Sequence, residues 1–175
     1  MFTPVVRIIL VITSIGLAIV FYGRNDFWNM ALSLFGAVLF VYGYFKYGTV
    51  YAAFQQLKKE NYDKAEKLIS KIKNPEQLSK SQKGYFHFTN GIIASEKEEW
   101  DYSLSELLKA LKIGLRTEND KSIVLLNLAN VEFEKKNYDK ATEYIKEVRK
   151  IDLKPLVKSE TDTIEQKINV AQQNL

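Results

Sequence analysis

Hydrophobic and polar positions divide this chain into two parts. Two apolar runs stand back to back at the start, roughly Pro4 to Tyr22 and Phe27 to Phe45. Each is about 19 residues long, close to the roughly 20 that carry a helix across the hydrocarbon core of a bilayer. Only GRND separates them, which predicts a tight turn and hence a helical hairpin over residues 1–45. From Lys46 the pattern becomes amphipathic with helical spacing, and it repeats. KENYDKAEKLI (59–69) returns as KKNYDKATEYI (135–145), and KEEWDYSLSEL (97–107) lies midway.

Aligning Tyr62, Trp100 and Tyr138 gives a period of 38. Asp63, Asp101 and Asp139 fall in register, as do Ala65, Ser103 and Ala141. Ile69, Leu107 and Ile145 follow, then Ile72, Ala110 and Val148. Twelve residues before each of Ala65, Ser103 and Ala141 stands another small residue: Ala53, Gly91 and Ala129. A fixed period of this size marks a helical repeat array, in which each unit must stack because it cannot bury its apolar face alone. The Asp at the start of each second helix sits where free N–H groups and the helix dipole favour an acid. The small columns let paired helices cross closely, and the branched and Leu positions supply the buried stripe.

These columns resemble the tetratricopeptide repeat (TPR) family, in the turn and second helix above all: NYDKA twice and WDYS once. The early Trp of the family's first helix is replaced by Thr49, His87 and Leu125, and the period exceeds the family's 34. NPEQLSKSQKG (74–84) reads as a linker that takes up part of the excess. The expected organisation is an all-α protein. A transmembrane hairpin (1–45) precedes a TPR-like α-solenoid of three helix pairs (46–155), closed by a capping helix and tail (156–175) with Val157, Ile164, Ile168 and Ala171 on one side. Gly43 and Gly48 are the only candidate breaks before the first repeat helix, so no flexible linker is expected.

Charge places the hairpin and excludes other functions. Residues 1–46 hold only Arg7, Arg24, Asp26 and Lys46; the rest holds 22 bases against 20 acids, interspersed. That is a solvated helical surface rather than a nucleic-acid footprint. Arg7 lies one turn into its run and can lift its guanidinium to the headgroups. Ser14 and Ala18, opposite Ser33, Gly36 and Ala37, are the expected contact positions of the hairpin, on itself or on a membrane protein complex. Two spans put both termini on one side. The lysines after the second run make that side the cytoplasm, with a bacterial inner membrane the expected location.

The chain has no Cys and a single His, His87, and it lacks a glycine-rich phosphate loop or nucleophile motif. The reading is of a non-enzymatic protein with no cofactor, no small-molecule substrate and a protein partner. In the TPR family the first helix of each pair lines the concave face. The resemblance therefore implies a partner groove formed by Tyr47, Phe54, Tyr85, Phe88, Ile92, Asn127, Asn130 and Phe133. Asn127 and Asn130 echo the polar set with which some members clamp a C-terminal carboxylate, without its Lys. An apolar groove suits an amphipathic helix or apolar peptide. The expected role is an adaptor or accessory subunit that helps assemble a membrane protein complex. The alternatives are a membrane-tethered receptor or co-chaperone for soluble client segments, and a self-assembling scaffold.

Overall fold

The computed structural model describes the backbone of residues 4–173, and the side chains among them except those of residues 4, 5, 7 and 44–47. Among the described residues there are eight α-helices and no strand. They are α1 (Pro4–Gly23), α2 (Phe27–Leu57), α3 (Tyr62–Ile69), α4 (Lys80–Glu96), α5 (Trp100–Ile113), α6 (Glu118–Glu134), α7 (Tyr138–Arg149) and α8 (Pro155–Gln173). A short 3₁₀ turn, Pro75–Gln77, precedes α4. By its internal contacts the chain divides into two compact units, residues 1–51 and 52–175.

The 38-residue period is present in the backbone. Glu60, Glu98 and Lys136 alone, besides Asn25, are described non-glycine residues with positive φ, at 59°, 59° and 62°. Each terminates a helix in the same way. Its N–H donates to the carbonyl three residues back, and the next N–H donates to the carbonyl five residues back: Asn61 to Gln56, Glu99 to Ala94, Asn137 to Glu132. This paired closure satisfies carbonyls that the helix end would otherwise leave open. The following helix then starts from Asn61, Glu99 or Asn137, whose backbone angles agree within 9° in φ and 5° in ψ (−87°, 68°; −81°, 63°; −90°, 64°). A left-handed residue with a side chain costs roughly 1–2 kcal/mol, so the surrounding contacts impose this turn three times over.

Those contacts are the columns. Ala53, Ala65, Ser103, Leu107, Ala110, Ala129, Ala141 and Val148 are wholly buried, and Ile69 and Ile145 nearly so. Tyr62, Trp100 and Tyr138 pack on the rim of the same core. The approach is closest between α4 and α5. A methyl group added to Gly91 would lie 2.7 Å from both Cγ and Cδ2 of Leu107 and 3.2 Å from its backbone nitrogen. There the Ser103 hydroxyl donates to the Gly91 carbonyl at 2.8 Å. Successive helices then stack: α3 on α4, α5 on α6, α7 on α8, with α4 also touching α6 and α6 touching α8.

The linker expected over 74–84 is shorter than predicted. Ser79 forms a reciprocal cap with Gln82 and starts α4 at Lys80. A second close approach fixes the α5–α6 connection, where a Cβ on Gly84 would lie 2.5 Å from the Gly114 carbonyl oxygen. Gly114 itself has φ of 96°, open to glycine at no steric cost. The terminal helix forms where expected, with Val157 and Ile168 in the core and Ile164 against it. In the repeat register Lys167 of α8 stands where Ala53, Gly91 and Ala129 stand, and it is exposed.

Within the first unit Asp26 caps α2. Its carboxylate accepts from the backbone N–H of Asn29 at 3.2 Å and from the Asn29 side chain at 2.7 Å. Those bonds hold its pKa below the usual carboxylate range. α2 then runs unbroken through Gly43 and Gly48.

Gly91→Ala is expected to destabilise the protein by about 1–3 kcal/mol through overpacking. Gly91→Ala combined with Leu107→Ile, which copies the Ala129 and Ile145 pair of the last unit, should recover part of that loss. Thermal unfolding of the full chain in detergent, followed by circular dichroism, measures both. Equal midpoints for Gly91→Ala and the parent would overturn the close-approach account.

Candidate functional site

The residues expected to line a groove separate into core and surface. Phe88 is 2% exposed, Phe54 6% and Ile92 9%, so these three belong to the core rather than to an open lining. The reason is aromatic packing between the end of α2 and α4. Phe54 meets Tyr85 edge-on at 4.8 Å between ring centroids and Phe88 at 5.4 Å. Lys58 Nζ covers the Phe54 ring at 4.8 Å. Tyr85 is half-buried, and its hydroxyl donates to Asp120 Oδ2 on α6. Burial and that bond push the Tyr85 phenol up to about 12.

On α6 the picture is more open. Asn127, Asn130 and Phe133 are half-buried. The Asn127 amide donates to the Ile123 carbonyl at 2.8 Å, and Phe133 packs on Tyr138 at 5.7 Å. The Tyr47 side chain, like that of Arg7, lies outside the described residues. The expected groove thus loses its central aromatic wall to the core and keeps a partly polar edge on α6.

Three buried acids were not foreseen, since every carboxylate has a surface reading in the sequence. Glu106 is 3% exposed and spends both oxygens. Oε2 lies 2.7 Å from His87 Nδ1, and Oε1 accepts from Lys109 at 2.7 Å. Asp120 accepts from the hydroxyls of Tyr85 and Thr117, and its backbone N–H donates to Thr117 at 3.0 Å, capping α6. Glu132 accepts from the Asn137 amide at 2.7 Å. The equivalent bond in the first unit runs from Asn61 to Gln56 at 3.4 Å. The Asn shared by the two NYDKA segments therefore ties the end of one helix to the start of the next. Only the period, which sets Gln56 beside Glu132 in register, carried a signal for these bonds. Among the described residues no cluster of three His, Asp or Glu side chains could hold a metal ion.

The hairpin positions are brought together. Ala18 and Ala37 are buried, and Ser14, Ser33 and Gly36 are half-buried. Ser14 Oγ lies 3.9 Å from the point where a Gly36 Cβ would be. The Ser33 hydroxyl donates back to the Asn29 carbonyl at 2.8 Å, so it presents no free polar group. Around this seam the surface is apolar: Ile8, Ile12, Ile19, Leu32, Phe35 and Val38 are all exposed. One helix, α2, is long and apolar enough to cross a membrane, with 6% of its apolar window buried. The described apolar stretch of α1, Ile8–Gly23, is shorter.

Because Phe88 sits in the core, Phe88→Ala is expected to cost about 3–5 kcal/mol. Phe88→Glu, which would bury an unpaired charge, is expected to abolish cooperative unfolding. A thermal melt of the full chain checks this, and a Phe88→Glu variant that folds normally would return Phe88 to the surface.

No protein-family model, no curated protein and no solved structure matches the chain.

Proposed function

We propose that this protein is a non-enzymatic, membrane-anchored adaptor or accessory subunit that helps assemble or stabilise a membrane protein complex. Its α1–α2 hairpin spans the bilayer twice, with both termini cytoplasmic and a bacterial inner membrane as the location. Its helical pairs form a TPR-like solenoid capped by α8. The observation that carries the reading is the exposed apolar girdle of the hairpin. In water it would be an aggregation liability, and in lipid it is the ordinary state of such a surface. The three-fold return of the same turn and columns supports the solenoid. With Phe54, Phe88 and Ile92 committed to the core, the hairpin is the leading contact surface for a membrane partner, and the α6 edge of Asn127, Asn130 and Phe133 is secondary.

Alkaline carbonate should leave the protein in the membrane pellet, and release into the supernatant would end the anchored reading. For topology, the absence of Cys makes Ser159→Cys, at an exposed position on α8, a clean reporter. It should resist an impermeant maleimide in intact cells and react after lysis. Purification in mild detergent separates the roles. A stoichiometric membrane protein sustains the subunit, substoichiometric mixed soluble clients indicate a receptor or co-chaperone, and a homo-oligomer by mass indicates a scaffold.

A further inference from the structure

The lysines are unevenly distributed along the repeats. Residues 46–83 contain nine lysines against four acids, whereas residues 84–175 contain fourteen bases against sixteen acids. Ion pairing sharpens the difference. Of the four acids, Glu76 is taken by Lys83 and Glu66 by Lys97 of the next unit. Lys59, Lys64, Lys67, Lys71, Lys73 and Lys80 are exposed, and none of them pairs with a carboxylate among the described residues.

The repeat supplies its own control for whether the fold needs this charge. One period or two along the chain, Lys67 becomes Ser105 and then Glu143, and Lys71 becomes Lys109 and then Glu147. Lys58 becomes Glu96 and Glu134, and Lys80 becomes Glu118. Glu96, Glu118, Glu134, Glu143 and Glu147 are all exposed, as the lysines are. The positions of Lys58, Lys67, Lys71 and Lys80 in the repeat therefore accept either sign, and packing does not choose it there. Lys64 recurs as Tyr102 and Lys140, and Lys73 as Leu111 and Arg149, so the first unit differs in carrying Lys64, Lys67, Lys71 and Lys73 all as lysine, with fewer acids around them.

We propose that the exposed lysines Lys64 and Lys67 of α3 and Lys71 and Lys73 of the segment after it dock on anionic lipid headgroups of the bilayer that holds the hairpin. Charge complementarity selects the occupant. Unpaired ammonium groups on flexible stems suit a diffuse field of phosphates, which asks for no fixed geometry. This inference rests on the membrane-anchored reading above.

The test uses the full chain in lipid nanodiscs of phosphatidylcholine alone or with about 30% phosphatidylglycerol, the anionic fraction being set to give a strong surface potential. Neither lipid has a primary amine, so an amine-reactive reagent read by mass spectrometry reports each lysine. Labelling at Lys64, Lys67, Lys71 and Lys73 should slow about three-fold or more in the anionic discs. It should recover in about 0.5 M salt, where screening is within a few ångströms. Lys146 and Lys158 should be unchanged. Lys67→Glu with Lys71→Glu, which copies Glu143 and Glu147, should return Lys64 and Lys73 to their rates in neutral discs. Equal rates in both discs, or slowing shared by Lys146 and Lys158, would overturn the proposal. Failure of the chain to enter discs at all would instead overturn the anchored reading. Flotation of the same chain and the double variant with phosphatidylglycerol or phosphatidylcholine vesicles would then decide the lipid contact by itself, equal recovery overturning it.

Discussion

The contact between small residues within each helix pair is the constraint on which the helical unit depends. At Gly91 the backbone of α4 comes so near α5 that no added Cβ fits beside Leu107. A separation that short brings the Ser103 hydroxyl onto the Gly91 carbonyl. It also fixes the length of chain that can join the two helices. The turn must reverse direction in a few residues, which is why Glu60, Glu98 and Lys136 accept a left-handed backbone without being glycine. A hydrogen-bonded helix end on one side and a half-buried aromatic on the other hold each of them there.

Between successive pairs the attachment is of a different kind. Apolar stacking brings the helices together, and a few directional bonds fix their offset. Tyr85 reaches from α4 to Asp120 on α6, whereas the contact of Glu106 on α5 with His87 on α4 lies within one pair. At the surface, Lys97 reaches back to Glu66, Lys135 to Asp101, and Arg149 forward to Asp162 and Glu165. Exposed pairs add little stability, because solvent screens them and side-chain entropy opposes them. The buried carboxylates matter more. An acid that has lost its water must keep every partner, so each of these bonds specifies one register and penalises the alternatives.

How far the sequence could be read follows from this physics. The columns were legible because three copies report the same requirement, and chance agreement at Ala65, Ser103 and Ala141 is averaged out. The groove was not. A first helix such as α4 is packed by its own partner and by neighbours in the stack, so apolar residues lie on more than one face. Periodicity then cannot tell Phe88, in the core, from a residue on a free wall. Nor could it foresee α2 running through Gly43 and Gly48. A glycine inside a helix costs only about 1 kcal/mol, a modest sum beside the bonds of an otherwise continuous helix. The pairing of Tyr85 with Asp120, 35 residues apart, depends on how α4 and α6 meet and leaves no local trace.

Lys167 carries a consequence of another sort. The small column that seats a second helix reads Ala53, Gly91, Ala129 and then Lys167. α8 packs on α7 and α6, and the lysine at this column position stands exposed. A charged side chain there disfavours the close helix crossing that Ala53, Gly91 and Ala129 allow. A duplicated block of 38 residues, entered anywhere ahead of α8, would meet the same turn behind it and the same small column before it.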